Sequence, residues 1–199
     1  MERLRSVPIF YVTEKIVSIL TSGYIQTNKV EDKSKFEFGP MNTTVSGNAI
    51  EGARFRVGGT TTTAFSKRLF LDGYVAYGTK DRKWKYDALA EYSFIDKKEY
   101  RKEFPVHSIR LEYSYDINQL GQQYMYTNKD NMFLALKRQK DTRATYLRKA
   151  EATYYREHYN GWAYGVVLRN FKEFSTGYAV FDRYNADGTL TSVDSYRMS

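Results

Sequence analysis

The chain has 199 residues, no cysteine and a formal net charge of +8, a length that allows one domain or part of a larger one. The lack of Cys excludes disulfides, thiolate metal centres and Cys nucleophiles, and no apolar run approaches the roughly 18 residues of a transmembrane helix. Nineteen Tyr, twelve Phe and two Trp against three Pro favour strands over helices. Lys and Arg are scattered, with Asp and Glu interleaved, so the positive charge reads as a solvated face and no nucleic-acid partner is expected.

Taken in order, the first predicted element is an amphipathic helix over Val7 to Leu20. Pro8 suits its first turn, Ile9, Val12, Ile16 and Leu20 recur at helical spacing, and Gly23 stops it. Thr13, Glu14 and Lys15 interrupt the apolar run, so this stretch is not a signal peptide. Residues 1–34 are therefore read as a helix and lead-in, and 35–199 as a β region. Strands are expected over Lys35 to Met41, ended or edged by Pro40, and over Ala49 to Gly59, where Glu51, Arg54 and Arg56 interrupt an apolar run. Gly58–Gly59 marks a turn or a kink in a curved sheet, with Thr60 to Ser66 running on as strand. Arg68 to Thr79 follows, then a short turn at Lys80, Asp81 and Arg82.

Lys83 to Phe94 alternates most cleanly. Trp84, Tyr86, Ala88, Ala90, Tyr92 and Phe94 fall on one face, and Lys83, Lys85, Asp87, Leu89, Glu91 and Ser93 on the other. Asp96 to Glu103 is a charged loop. In Val106 to Asp116, His107, Ile109, Leu111, Tyr113 and Tyr115 oppose Ser108, Arg110, Glu112, Ser114 and Asp116. A further strand is expected within 131–140. Thr142 to Tyr159 fits helix or strand, and its neighbours favour strand. Asn160–Gly161 and Asp187–Gly188 are hairpin signals. They flank or follow runs at Trp162 to Leu168, Tyr178 to Arg183 and Thr189 to Val193.

Eight to ten strands joined mostly by short turns predict an all-β antiparallel meander, the way up-and-down barrels are built. Strands of about 10 residues match a tilted membrane crossing. Aromatics at both ends of the Trp84–Phe94 face with alanines between fit a strand crossing a bilayer. A polar mean composition is no objection, because only alternate residues of such a strand meet lipid. On this reading Trp84, Tyr86, Ala88, Ala90, Tyr92 and Phe94 face lipid. Lys83, Lys85, Asp87, Glu91, Arg110, Glu112 and Asp116 face a lumen, either filled or open. A soluble β-barrel or sandwich that binds a ligand or nucleic acid through its aromatics is the alternative. The direction of the aromatic faces separates the two.

The strings from Asn48 to Gly59 (NAIEGARFRVGG), Gly73 to Asp81 (GYVAYGTKD) and Trp84–Lys85–Tyr86 resemble a family of uncharacterised Gram-negative outer-membrane proteins. In that family a carboxypeptidase-regulatory-like domain precedes a barrel related to TonB-dependent receptors. Thr21 to Tyr24 and Phe38 to Pro40 are similar to the segment leading into that barrel. The resemblance, which spans about Ser6 to Phe171, implies an outer-membrane location and an incomplete barrel, the chain covering its first part. It also implies as partners the surrounding lipid, the remainder of the barrel and an upstream regulatory-like domain. The family carries no activity to transfer, only a transport, receptor or envelope-structural role.

No catalytic constellation is legible, so no enzymatic activity, cofactor or metal is expected. His107 and His158 lie in separate strands without metal-like spacing. There is no nucleophile elbow and no phosphate-cradling loop. Glu112 and Asp116 share a strand face with Arg110, which reads as a structural ion ladder.

Overall fold

The computed structural model describes residue 13 and residues 23–28, 34–119, 143–178 and 181–198. The helix expected over Val7 to Leu20 lies outside the described residues except for Thr13, and has no support. The strand expected within 131–140 lies wholly outside them.

The described chain is all-β and antiparallel. Its short leading strands are β1 (Ile25–Gln26), β2 (Phe36–Phe38) and β3 (Val45–Asn48). The body consists of β4 (Gly52–Thr61), β5 (Leu69–Gly78), β6 (Trp84–Ser93), β7 (His107–Gln119), β8 (Ala144–Glu157) and β9 (Ala163–Ser175). A small hairpin, β10 (Phe181–Tyr184) with β11 (Leu190–Val193), precedes β12 (Ser195–Met198). The main sheet runs β1-β2-β4-β5-β6-β7-β8-β9-β12, with β3 also paired to β4. From β4 to β9 each strand pairs with the next in sequence, and among the described residues the sheet is not closed into a barrel. The ambiguous stretch after Thr142 is strand β8, paired along its whole length to β9. The run at Thr60 to Ser66 is strand only to Thr61 and then turns, and β6 begins at Trp84, which leaves Lys83 in the preceding turn.

Registers carry the alternation across the sheet, because directly opposed residues share a face. Val75, Tyr86, Tyr115, Arg148 and Lys172 lie in one row, and Leu71, Ala90, Leu111, Ala152 and Leu168 in another. On the opposite face Asp72, Leu89, Glu112, Glu151 and Arg169 make a row. Burial follows these rows with inverted sense. Along β4, Arg54 and Arg56 are 0% and 9% exposed, whereas Phe55 and Val57 are 51% and 71% exposed. On β6, Lys85 and Glu91 are buried while Trp84 and Tyr92 are exposed. From β4 to β7 the charged face is the covered one and the apolar face the open one; on β8 and β9 Arg148 and Lys172 stand on the apolar face, over the Phe174 ring. A small buried apolar group, Ile50, Ile117 and Ala144, packs at one end.

Gly58 sits where β4 and β5 crowd. A Cβ there would stand 2.7 Å from Tyr74 Cβ and 2.8 Å from the Gly73 carbonyl oxygen. Backbone cannot yield as a side-chain tip can, so Gly58→Ala should cost about 1–3 kcal/mol. The check is reversible urea unfolding of the variant beside the parent protein; an unchanged midpoint contradicts the packing described.

Candidate functional site

The polar face concentrates its charge at the β3–β4 end. Asn48 Oδ1 accepts from the Ile50 and Glu51 amides, which closes the turn and aims Glu51 along the face. Asn48 Nδ2 donates to Glu51 Oε2 at 2.6 Å. Arg54 donates from Nη1 to Glu51 Oε1 and from both terminal nitrogens to the Asp116 carboxylate at 2.8 and 3.0 Å, a bidentate clamp between β4 and β7. Lys85 Nζ lies 2.8 Å from Glu51 Oε1 and also pairs with Asp81. Tyr74 donates its hydroxyl to Asp116, and the Arg56 guanidinium lies over the Tyr74 ring at 3.7 Å. Gly78 makes room for this cluster: a Cβ there would meet Lys85 Nζ at 2.8 Å and Glu51 Cβ at 3.0 Å.

Asp81, in the turn between β5 and β6, closes the cluster from outside the strands. Tyr146 donates to its Oδ2 at 2.8 Å. Burial alone would raise the Asp81 pKa, but the Lys85 ammonium, the Tyr146 hydroxyl and the Lys83 amide outweigh it and hold the carboxyl below its usual range.

Farther along the face the ions form a second chain. Glu112 pairs with Arg110 at 2.9 Å and with Lys149, and Glu151 takes Arg169 at 2.7 Å. The charged loop between β6 and β7 folds back onto this face. Its Arg101 reaches Asp72 at 2.6 Å and Glu91 at 3.4 Å. The loop is fastened by Lys97, whose buried ammonium donates to the Glu103 and Pro105 carbonyls. Glu103 Oε2 accepts from the Lys98 amide at 2.7 Å and the Glu99 amide at 3.3 Å, which lowers its pKa. Two polar cavities open here. One of about 360 Å³ is lined by Arg56, Asp72, Tyr74, Asp87, Arg101 and Arg110. The other, of about 680 Å³, includes Thr61, Phe70, Glu99 and Tyr100 in its wall. Arg101 lines both.

Six of the seven residues expected to face a lumen lie on this polar face. Lys85 and Asp116 enter the first cluster, Asp87 and Arg110 line the smaller cavity, Glu91 meets Arg101, and Glu112 joins the second chain. Lys83 does not join them; it is exposed and sends Nζ over the Tyr146 ring at 4.0 Å. Arg110 pairs with Glu112 as the ladder requires, but Asp116 turns to Arg54 on a distant strand. The expected lipid-facing set, Trp84, Tyr86, Ala88, Ala90, Tyr92 and Phe94, lies on the apolar face. There Trp84 packs on Tyr77 and Phe94 on both Tyr92 and His107. An apolar trough of about 1110 Å³ on that face includes Leu71, Ala88, Ala90, Leu111, Ala150 and Ala152 in its wall.

Sequence reasoning passed over Glu51, Arg54 and Arg56 as site residues, although three charges breaking an apolar run were the signal. Arg101 gave no signal, since nothing in a charged loop says which cation folds inward. Among the described residues no group of three or more His, Asp or Glu could hold a metal. The chemistry this face shows is charge pairing.

Removing Arg54 leaves the Glu51 and Asp116 carboxylates without their shared cation, so Arg54→Ala should cost about 3–5 kcal/mol. Arg68→Ala, which breaks the half-exposed pair with Asp96, should leave the midpoint nearly unchanged. Denaturant midpoints of the two variants make the comparison, and equal costs contradict the buried cluster. Because the Asp81 pKa is depressed on folding, its contribution is present above the ordinary carboxylate range, about pH 4, and is lost as pH falls through the lower folded value. Asp81→Asn should therefore be less stable at neutral pH and lose less on acidification, as read from unfolding midpoints across pH. Set against known proteins, the chain matches no family model, no curated protein and no solved structure.

Proposed function

We propose that this sheet is part of an outer-membrane β-barrel, its apolar face in lipid and its polar face toward a lumen, serving a transport, receptor or envelope-structural role without catalysis. The observation that carries the reading is the inverted burial: Arg54, Lys85 and Glu51 are covered, while Val57, Trp84, Leu111 and Leu168 stand open on the opposite face. A soluble sheet that used its aromatics for binding would still bury one apolar face in a core. From β4 to β7 the strands alternate apolar on one face and polar on the other, the pattern of a strand between lipid and water.

The layout of the apolar face supports the same reading. Trp84 and Tyr77 sit at one end, Tyr92, Phe94 and His107 at the other, and Ala88, Ala90, Leu111, Ala150 and Ala152 between them. At about 3.3 Å per residue the run from Trp84 to Phe94 is roughly 33 Å long. Tilted by about 40° it would stand about 25 Å tall, the height of the apolar band of such barrels. No helix among the described residues is long and apolar enough to cross a membrane, which says nothing about crossing by strands. The polar face, with cavities walled by Arg101 and ions paired in chains, fits a lumen partly filled by its own side chains and a folded-in loop.

Two measurements test this. Expressed with an export signal in a Gram-negative host, the protein should remain in the outer-membrane fraction after alkaline carbonate extraction; recovery in the soluble fraction overturns the proposal. In lipid vesicles, Ala88→Arg should cost about 2–4 kcal/mol and Asp87→Arg clearly less, because water can solvate the second. Equal or reversed costs would reverse the assignment of faces.

A further inference from the structure

Three cations stand in one row on the otherwise apolar face. Arg148 on β8 opposes Lys172 on β9, and Lys172 opposes Arg197 on β12. Directly opposed residues share a face, so the row continues that of Val75, Tyr86 and Tyr115. Adjacent strands lie about 4.8 Å apart, which sets the three side chains within roughly 10 Å across the sheet. Like charges placed opposite one another destabilise a sheet. Among the described residues no carboxylate pairs with any of the three; the acids of the polar face go to Arg54, Lys85, Arg101, Arg110, Lys149 and Arg169. Arg148 and Lys172 find only the Phe174 ring, at 5.3 and 5.0 Å, and Arg197 is exposed.

We infer, on the membrane reading of this face, that the Arg148–Lys172–Arg197 row binds the phosphate of an anionic membrane lipid, whose acyl chains lie along the neighbouring trough. The depth of the row fits a headgroup. It is level with Tyr86, the next residue on that face after Trp84, and beside it the Tyr115 ring meets those of Tyr146 and Phe174 at 5.9 and 6.4 Å. Such aromatics mark the lipid–water boundary, where lipid phosphates sit.

The trough begins where the row ends. Toward the middle of the sheet the next residues on the same face are Ala150 and Asn170, then Ala152 and Leu168, and all four line the apolar trough of about 1110 Å³. Alanine side chains leave the backbone close to the surface, so an acyl chain can settle there in contact along its length. Charge selects the lipid. Guanidinium and ammonium groups donate strongly to phosphate oxygens. A zwitterionic lipid carries its own cation and leaves the row's charge uncancelled, whereas an anionic lipid removes the repulsion between the three side chains.

The test uses the full chain in phosphatidylcholine vesicles, with Trp84→Phe and Trp162→Phe removing the native tryptophans and either Leu168→Trp or Leu71→Trp supplying one. Positions 168 and 71 belong to one row of the sheet, so they share a depth, and four strand spacings separate them. Phosphatidylglycerol or phosphatidylcholine with brominated acyl chains is then included at the same minor fraction and ionic strength. At 168 the anionic lipid should quench about threefold more than the zwitterionic one, and at 71 the two should quench alike. Arg148→Gln, Lys172→Gln and Arg197→Gln together should abolish the preference at 168 and leave quenching by phosphatidylcholine unchanged. Equal quenching by the two lipids at 168, or a preference that survives the three substitutions, overturns the inference and leaves the membrane reading standing. An equal preference at 71 makes it an effect of net charge and also overturns the inference. Loss of the preference in inorganic phosphate, but not in sodium chloride of equal ionic strength, assigns the row to a soluble phosphate and overturns the lipid. Quenching at neither position by either lipid overturns the membrane reading and the inference with it.

Discussion

The clamp of Arg54 on Asp116 and Glu51 is the interaction on which the rest depends. It ties the turn before β4 to the far end of β7, across the two intervening strands, with all three side chains almost wholly out of solvent. A buried arginine is tolerable only when its charge is met by carboxylates held this closely. Lys85, Tyr74 and Arg56 complete the match from β6, β5 and β4. Once these residues point to one face, period two sends Phe55, Val57, Val75 and Trp84 to the other. The placement of polar groups thereby decides where the apolar surface goes, the reverse of an ordinary soluble sheet.

The same inversion links packing to what the face can do. Among the described residues the charges of the polar side are paired in chains of alternating sign, Arg110, Glu112, Lys149, Glu151 and Arg169. Arg101 adds a wall between two cavities from a loop that is fastened at Lys97 and Glu103. Loops carry function when a rigid scaffold positions them, and here the scaffold is the β5–β6–β7 ladder that presents Asp72 and Glu91.

Much of this was legible in the sequence because alternation is a local signal. The two faces of β6 and β7 could be written from residue order alone, and so could the Asn160–Gly161 hairpin. β8 was harder, since Tyr146, Ala150 and Tyr154 satisfy helical spacing as well as strand alternation; pairing with β7 and β9 along its length decides it. Non-local chemistry was not legible. Asp116 was expected to join Arg110 on its own strand, but its partner is Arg54, far away in sequence, because the registers of β4 to β7 set the two on one face at the same end of the sheet. Lys83 was placed with the polar face by parity, yet the turn ends one residue later and parity does not hold outside a strand. The membrane assignment drew on the order of side chains along β6, aromatics at both ends and alanines between.

The central claim is that residues of one parity on β6 meet lipid. The chain has no native Cys, so single cysteines at 86 to 92 can each carry a fluorophore without background. Quenching by bromine-labelled acyl chains in vesicles should then alternate along the strand, strong at 88 and 90 and weak at 87, 89 and 91. Uniform quenching, or strong quenching at 87, 89 and 91, would contradict it.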